Sequence, residues 1–207
     1  MSVVVDDKKL QRAVNDLLEA VGEDLGRPGL QGTPERVSEL FQELYRGVGV
    51  DPVALLQDAS PLAEAKDQVG DFVALRGIAF SSICEHHLLP FRGVADVGYQ
   101  PADTLVGLGI LADLVDIVAS RPQMQERLGD MVADALVQSG VAAGSVVVIR
   151  GEHGCVQHRG PKLAESETIT VASAGSLSDP AARREALVSM GAAPQAGAVS
   201  TPQHESD

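Results

Sequence analysis

Both cysteines of the chain and four of its five histidines fall in two short runs. The first is Cys84-Glu85-His86-His87; the second is His153-Gly154-Cys155, with His158 three residues beyond. Thiolate and imidazole are the usual ligands of zinc, and a Cys-x-x-His pair puts two of them on one turn of backbone. Cys84, His87 and Cys155 would supply three ligands and leave the fourth to water, the layout of a hydrolytic zinc that makes water a nucleophile at neutral pH. His86 and His153 would then carry protons, because imidazole titrates near neutrality. Two other readings use the same residues: a closed structural zinc with His153 or His158 as fourth ligand, and two buried cysteines with incidental histidines.

The surrounding pattern indicates what must hold these runs. Phe72–Phe80 and Gly93–Tyr99 have the two-residue period of strands and flank the Cys84 run, which therefore lies on the connection between them. Ser145–Arg150 is a β-branched strand with the His153 run at its end, and 167–172 forms the last strand. Helical spacing covers 7–22 (Leu10, Val14, Leu17, Leu18, Val21), a segment capped by Thr33 with Pro34 at its first position, 108–119, a helix begun by Pro122, and a short helix over 180–189. Residues 51–69 read as an irregular acidic connector. Helices, two strands, two helices and two strands in that order predict an α+β fold with an antiparallel sheet. The expected organisation is an N-terminal helical extension over 1–50, a catalytic domain over 51–190 and a disordered tail over 191–207, rich in Ala, Gly, Pro, Gln and Ser.

A chain of 207 residues with 44% apolar content can bury one sizeable core. It contains no apolar run long enough for a transmembrane helix, and its first residues lack a signal-peptide pattern, so a cytoplasmic location is expected. In a reducing compartment, two cysteines beside histidines favour metal binding over a disulfide. A net charge of −13 repels phosphate backbones and anionic membranes, and 3% aromatic content with no Trp offers no base-stacking platform. Neither nucleic acid nor membrane is an expected partner.

The words around the ligands are more specific. Ser81-Ser82-Ile83-Cys84-Glu85-His86-His87-Leu88-Leu89-Pro90-Phe91, Arg121-Pro122-Gln123-Met124-Gln125-Glu126-Arg127-Leu128, His153-Gly154-Cys155 followed by Arg159-Gly160, and Gly32-Thr33-Pro34-Glu35-Arg36-Val37 together resemble the signature runs of GTP cyclohydrolase I, in the same order. The resemblance implies a T-fold (tunnelling-fold) domain and a homodecamer built as a dimer of pentamers, with sites at subunit interfaces. It implies zinc on Cys84, His87 and Cys155, attack of water at C8 of a guanine-type purine, His153 protonating N7 and His86 working near the ribose. It also implies loss of formate and closure of a pterin ring. Glu126 matches the carboxylate that reads the guanine edge, with Gln125 supporting it, and a carboxylate can accept from N1–H and the exocyclic amine together. Glu85 is expected either to orient an imidazole or to form a surface ion pair.

The phosphate-binding residues depart from the family pattern. Gly109, Ile110 and Asp113 stand where the family has a serine, a lysine and an arginine, and Glu39 stands where it has a lysine. Arg36 and Arg159 remain of the basic set, with Arg121, Arg127 and Lys162 as candidates to compensate. At an effective dielectric of about 20, one charge pair at 4–6 Å is worth roughly 3–4 kcal/mol before screening. The expectation from charge alone is therefore a zinc hydrolase acting on a guanine-type substrate with fewer phosphates than GTP. The alternatives are an ordinary GTP cyclohydrolase I feeding folate or pterin synthesis and a non-catalytic purine- or pterin-binding member. Retention of both His86 and His153 weighs against the binder.

Overall fold

The computed structural model describes residues 5–57, 72–103, 105–158 and 165–191. The expected disordered tail lies outside these residues apart from Gly191. Helix α1 (Asp7–Ala20) starts where the Asp6 carboxylate accepts the Lys9 N–H, and α2 (Thr33–Leu44) packs beside it. Asp7 joins the pair by accepting from Ser38 Oγ and Gln42 Nε2 at 3.1 and 2.6 Å. Thr33 is not the cap of α2. Gly32 occupies that position in the left-handed region, and the Thr33 hydroxyl instead accepts from Arg36.

The segment read as a connector opens with a helix, α3 (Pro52–Gln57). Its local signal is Asp51, whose carboxylate accepts the Val53 N–H, followed by Pro52 at the first position. Leu56 anchors this short helix in the core. The remainder of the connector, 58–69, lies outside the described residues.

The domain is built on one sheet. Strands β1 (Val73–Cys84) and β2 (Pro90–Pro101) form a long antiparallel pair, followed by helix α4 (Leu108–Ala119), strand β3 (Pro122–Gln123) and helix α5 (Gln125–Gln138). Strand β4 (Ala142–His153), the single turn α6 (Gly154–Gln157), strand β5 (Thr168–Gly175) and helix α7 (Pro180–Ser189) complete it. The order across the sheet is β3-β1-β2-β4-β5, with β3 parallel to β1 and every other pairing antiparallel.

Pro122 does not begin a helix. Pro122 and Gln123 pair with Ile83 and Cys84, and the Gln123 side chain donates to Val118 O, so the helix waits until Gln125. On one face of the sheet Ala95, Val97, Tyr99, Val147, Ile149, Ala172 and Ala174 pack against Leu111, Leu114 and Val118 of α4 and Leu128, Val132 and Leu136 of α5. On the other face Val146 meets Leu177, Ala186 and Met190, which seats α7. This two-sided burial fixes the register of β2 and β4, and with it the positions of the residues at their ends. Among the described residues, no helix is long and apolar enough to cross a membrane.

Candidate active site

Strand β1 ends on Cys84, and the chain reverses through Glu85, His86 and His87. Two hydrogen bonds close the reversal: Cys84 N–H to Leu89 O at 2.8 Å, and Leu88 N–H to Cys84 O at 2.9 Å. Leu88 takes φ of 52°, a left-handed conformation rare outside glycine that this tight closure imposes. Glu85 N–H donates to Gln123 O, so the short strand β3 braces the turn from the side.

The second run arrives through strand pairing. Phe91 and His153 are direct partners across β2 and β4, and α6 then turns Cys155 toward the first run. One donor atom each from Cys84, His87 and Cys155 lies within 4.8 Å of the others, and Cys84 Sγ and His87 Nδ1 are 3.9 Å apart. Ordinary Zn–S and Zn–N bond lengths place tetrahedral ligand atoms about 3.6–3.8 Å from one another, so the donor types and spacing fit a zinc ion. No disulfide joins the two cysteines. Three side chains would leave one position of a tetrahedral ion to a further ligand, such as solvent or substrate.

The two histidines expected to carry protons occupy different environments. His86 is exposed, with Nε2 3.9 Å from a Glu85 oxygen. His153 is half-buried, its ring lying parallel to Phe91 with centroids 4.7 Å apart, and its Nε2 is 2.8 Å from Gln125 Oε1. Burial pushes the His153 pKa down, and the Glu126 charge opposes that shift. Glu126 is exposed in the first turn of α5, whereas Gln125 beside it is only 1% exposed.

Glu85 forms the expected ion pair. Both its oxygens accept from Arg127, with Nη1 to Oε2 and, at 3.1 Å, Nη2 to Oε1. The Arg127 hydrogen bond holds the Glu85 carboxyl below its ordinary pKa. The contacts of Arg36 are local to α2, to Gln31 O at 3.1 Å and Thr33 Oγ1 at 2.9 Å. Arg159 and Lys162 lie outside the described residues. Glu39 and Asp113 are exposed, and Ile110 packs against the core.

Sequence reasoning did not assign Phe91 or Gly151 a part in the site, and offered Arg127 only as a compensating phosphate contact, whereas its partner in the structure is Glu85. Phe91 and Arg127 sit inside the signature runs, one at the start of β2 and one in the first turn of α5. Gly151 carried a weaker signal: a lone glycine in a β-branched strand marks a close approach. A Cβ at Gly151 would fall 2.3 Å from Gln125 Oε1.

The sheet carries a Cys/His/Cys cluster at the ends of its strands that could hold a metal ion, beside a buried glutamine and an exposed glutamate. A model of the family GTP cyclohydrolase I matches residues 10–191. A GTP cyclohydrolase 1 from Leifsonia xyli subsp. xyli is 45% identical over 190 residues, covering 91% of this chain and 98% of the relative. One from Bifidobacterium longum (strain DJO10A) is 43% identical, covering 88% and 89%. One from Streptococcus pyogenes serotype M49 is 40% identical, covering 90% and 94%. The chain belongs to the GTP cyclohydrolase I family. It has the α+β T-fold of that family and is a cyclohydrolase acting on a cyclic amidine.

Proposed function

We propose that the chain is a zinc-dependent GTP cyclohydrolase I, converting GTP and water to dihydroneopterin triphosphate and formate in the cytoplasm. The observation that carries this reading is the convergence of Cys84, His87 and Cys155 within 4.8 Å, in a chain of this family. When bound, zinc would activate water for attack at purine C8. The chain's own residues do the rest. Glu126, exposed at the start of α5, accepts from the guanine N1–H and amine. His153 delivers a proton to N7, and His86 acts near the ribose. Arg36 and Arg159 bind phosphate. The local contacts of Arg36 within one chain are compatible with a site completed between subunits of the homodecamer the family resemblance implies.

Local charge alone favours a substrate with fewer phosphates. The comparisons do not support it: relatives at 40–45% identity over most of their length are all GTP cyclohydrolase 1. The substitutions at Glu39, Ile110 and Asp113 therefore bear on how tightly the triphosphate is held. The test is to incubate zinc-loaded protein with GTP, GMP and guanosine and to follow formate and pterin absorbance. Turnover of GTP with one formate per pterin is expected. Turnover confined to GMP or guanosine would replace GTP as the substrate, and no turnover of any purine would remove the enzymatic reading.

A further inference from the structure

The buried carboxamide of Gln125 has its orientation dictated by what surrounds it. Its Nε2 lies 3.2 Å from Ile149 O, 2.9 Å from Thr168 O and 3.2 Å from Thr170 Oγ1. Two of these are backbone carbonyls, which only accept. The reverse orientation would set the amide oxygen against two carbonyl oxygens in a site that is 1% exposed, and would leave buried acceptors without donors. The oxygen Oε1 must therefore point the other way, where it meets His153 Nε2 at 2.8 Å. An amide oxygen cannot donate, so the hydrogen in that bond belongs to His153 Nε2.

Two further contacts show that this arrangement is built. The His153 ring lies on Phe91 with an interplanar angle of 4°, which fixes its plane. Gly151 supplies the space for the amide oxygen, since any side chain there would collide with it. The amide is thus held by the carbonyls of β4 and β5 on one side and by the absence of a Cβ on the other. Its two hydrogens are already committed to three acceptors, so the Gln125 side chain has no donor to offer a purine.

We infer that Gln125 is a positioning residue that presets the His153 tautomer, keeping hydrogen on Nε2 and leaving Nδ1 as the nitrogen available for proton exchange. This rests on the reading of His153 as the proton carrier. It gives Gln125 a different part from direct support of the guanine edge, which falls to Glu126. The ring-nitrogen hydrogen is set before substrate arrives, in the way that a hydrogen bond to one nitrogen of an imidazole decides the role of the other.

The test begins with the unmutated zinc-loaded protein, labelled with 15N-histidine and examined by solid-state NMR, which its size does not limit. The His153→Asn variant identifies the His153 signals. Neutral His153 should carry hydrogen on Nε2 and none on Nδ1, and the opposite tautomer would overturn the inference whatever any variant does. Gln125→Met keeps the length of the side chain and removes the acceptor, and Gly151→Ala displaces it. Both should mix the tautomers and lower kcat by about 10–100-fold with KM for GTP unchanged within about twofold. A rise in KM with unchanged kcat in Gln125→Met would instead make Gln125 a substrate contact. If His153→Asn retained full activity while the wild-type tautomer was as expected, the fault would lie with His153 as proton carrier and not with the setting of its tautomer.

Discussion

Phe91 and His153 face each other as register partners on β2 and β4, and their rings stack in parallel at 4.7 Å. Phe91 is 1% exposed and packs edge-on against Phe80 at 5.9 Å, so the histidine rests on a surface that belongs to the hydrophobic core. Core packing is thereby transmitted directly to a residue of the site. The Phe91→Leu variant retains an apolar side chain but not the flat support. It should cost about 1–2 kcal/mol of stability and lower kcat roughly tenfold through misplacement of the imidazole. Denaturant unfolding beside steady-state kinetics with GTP measures both. A loss of stability with unchanged kcat would mean that the stack only packs.

The Glu85–Arg127 pair clasps the turn that carries Cys84, His86 and His87 to the first turn of α5, which carries Gln125 and Glu126. As an exposed pair it should add little to stability, so its effect should fall on the site. Arg127→Met is expected to weaken zinc binding or kcat by about tenfold. The exchanged pair Glu85→Arg with Arg127→Glu should recover part of that loss, and a competition assay with a zinc-binding dye reads the metal term. Additive losses in the two single variants and the exchange would show that the residues act separately.

The Cys84/His87/Cys155 cluster and most of the order of strands and helices were legible because they depend on short-range signals: rare residue types in fixed spacing, and apolar periods of two and about 3.6 residues. What escaped depends on pairing between distant segments. Pro122 reads locally as a helix start, yet its pairing with Ile83 makes it a strand that braces the Cys84 turn. Gln125, expected from the resemblance to support the guanine edge, has its amide covered by carbonyls of β4 and β5 that no local pattern brings to it. Asp96 lies within a strand read only by its period, and its partners Arg150, Arg76 and Gly77 come from two other strands.

Removal of one metal ligand should abolish both the ion and the reaction. Cys155→Ala is expected to purify with far less zinc than wild type and with activity below about a thousandth of it. Because Cys155 is only half-buried, the fold should survive, as circular dichroism would report. In the wild type, a chelator should remove activity and added zinc should restore it. Activity retained in metal-free Cys155→Ala would refute the assignment of the site.

The replaced phosphate-site residues make a quantitative prediction for GTP. Restoring the family pattern with Glu39→Lys, Ile110→Lys and Asp113→Arg exchanges two anions and one neutral side chain for three cations. Even heavily screened, that change should lower KM for GTP by about tenfold or more at low ionic strength, with less gain at high salt. KM for guanosine should not move, because it carries no phosphate. If KM for GTP were also unchanged, these positions would not face the triphosphate in the assembled enzyme.

Asp96 makes the stability of the fold depend on pH. It is 0% exposed, and it accepts from Gly77 N–H at 2.8 Å and from Arg150 at 2.8 Å, with Arg76 at 3.6 Å. Gly77 has φ of 74° at the bulge in β1, a conformation that lets its N–H turn toward the carboxylate. Burial by itself would raise the Asp96 pKa, but the hydrogen bonds from Arg150 and Gly77 outweigh it, so the folded-state pKa lies below the ordinary carboxylate value. The contribution of this group is fully present above the unfolded-state pKa of about 4 and is lost as pH falls through the lower folded-state value. Asp96→Asn should therefore cost about 2–3 kcal/mol at neutral pH, and the gap from wild type should narrow as pH falls below about 4. Unfolding curves from pH 7 to pH 3 measure it. A gap that stayed constant over that range would mean that the network acts through packing and not through the charge of Asp96.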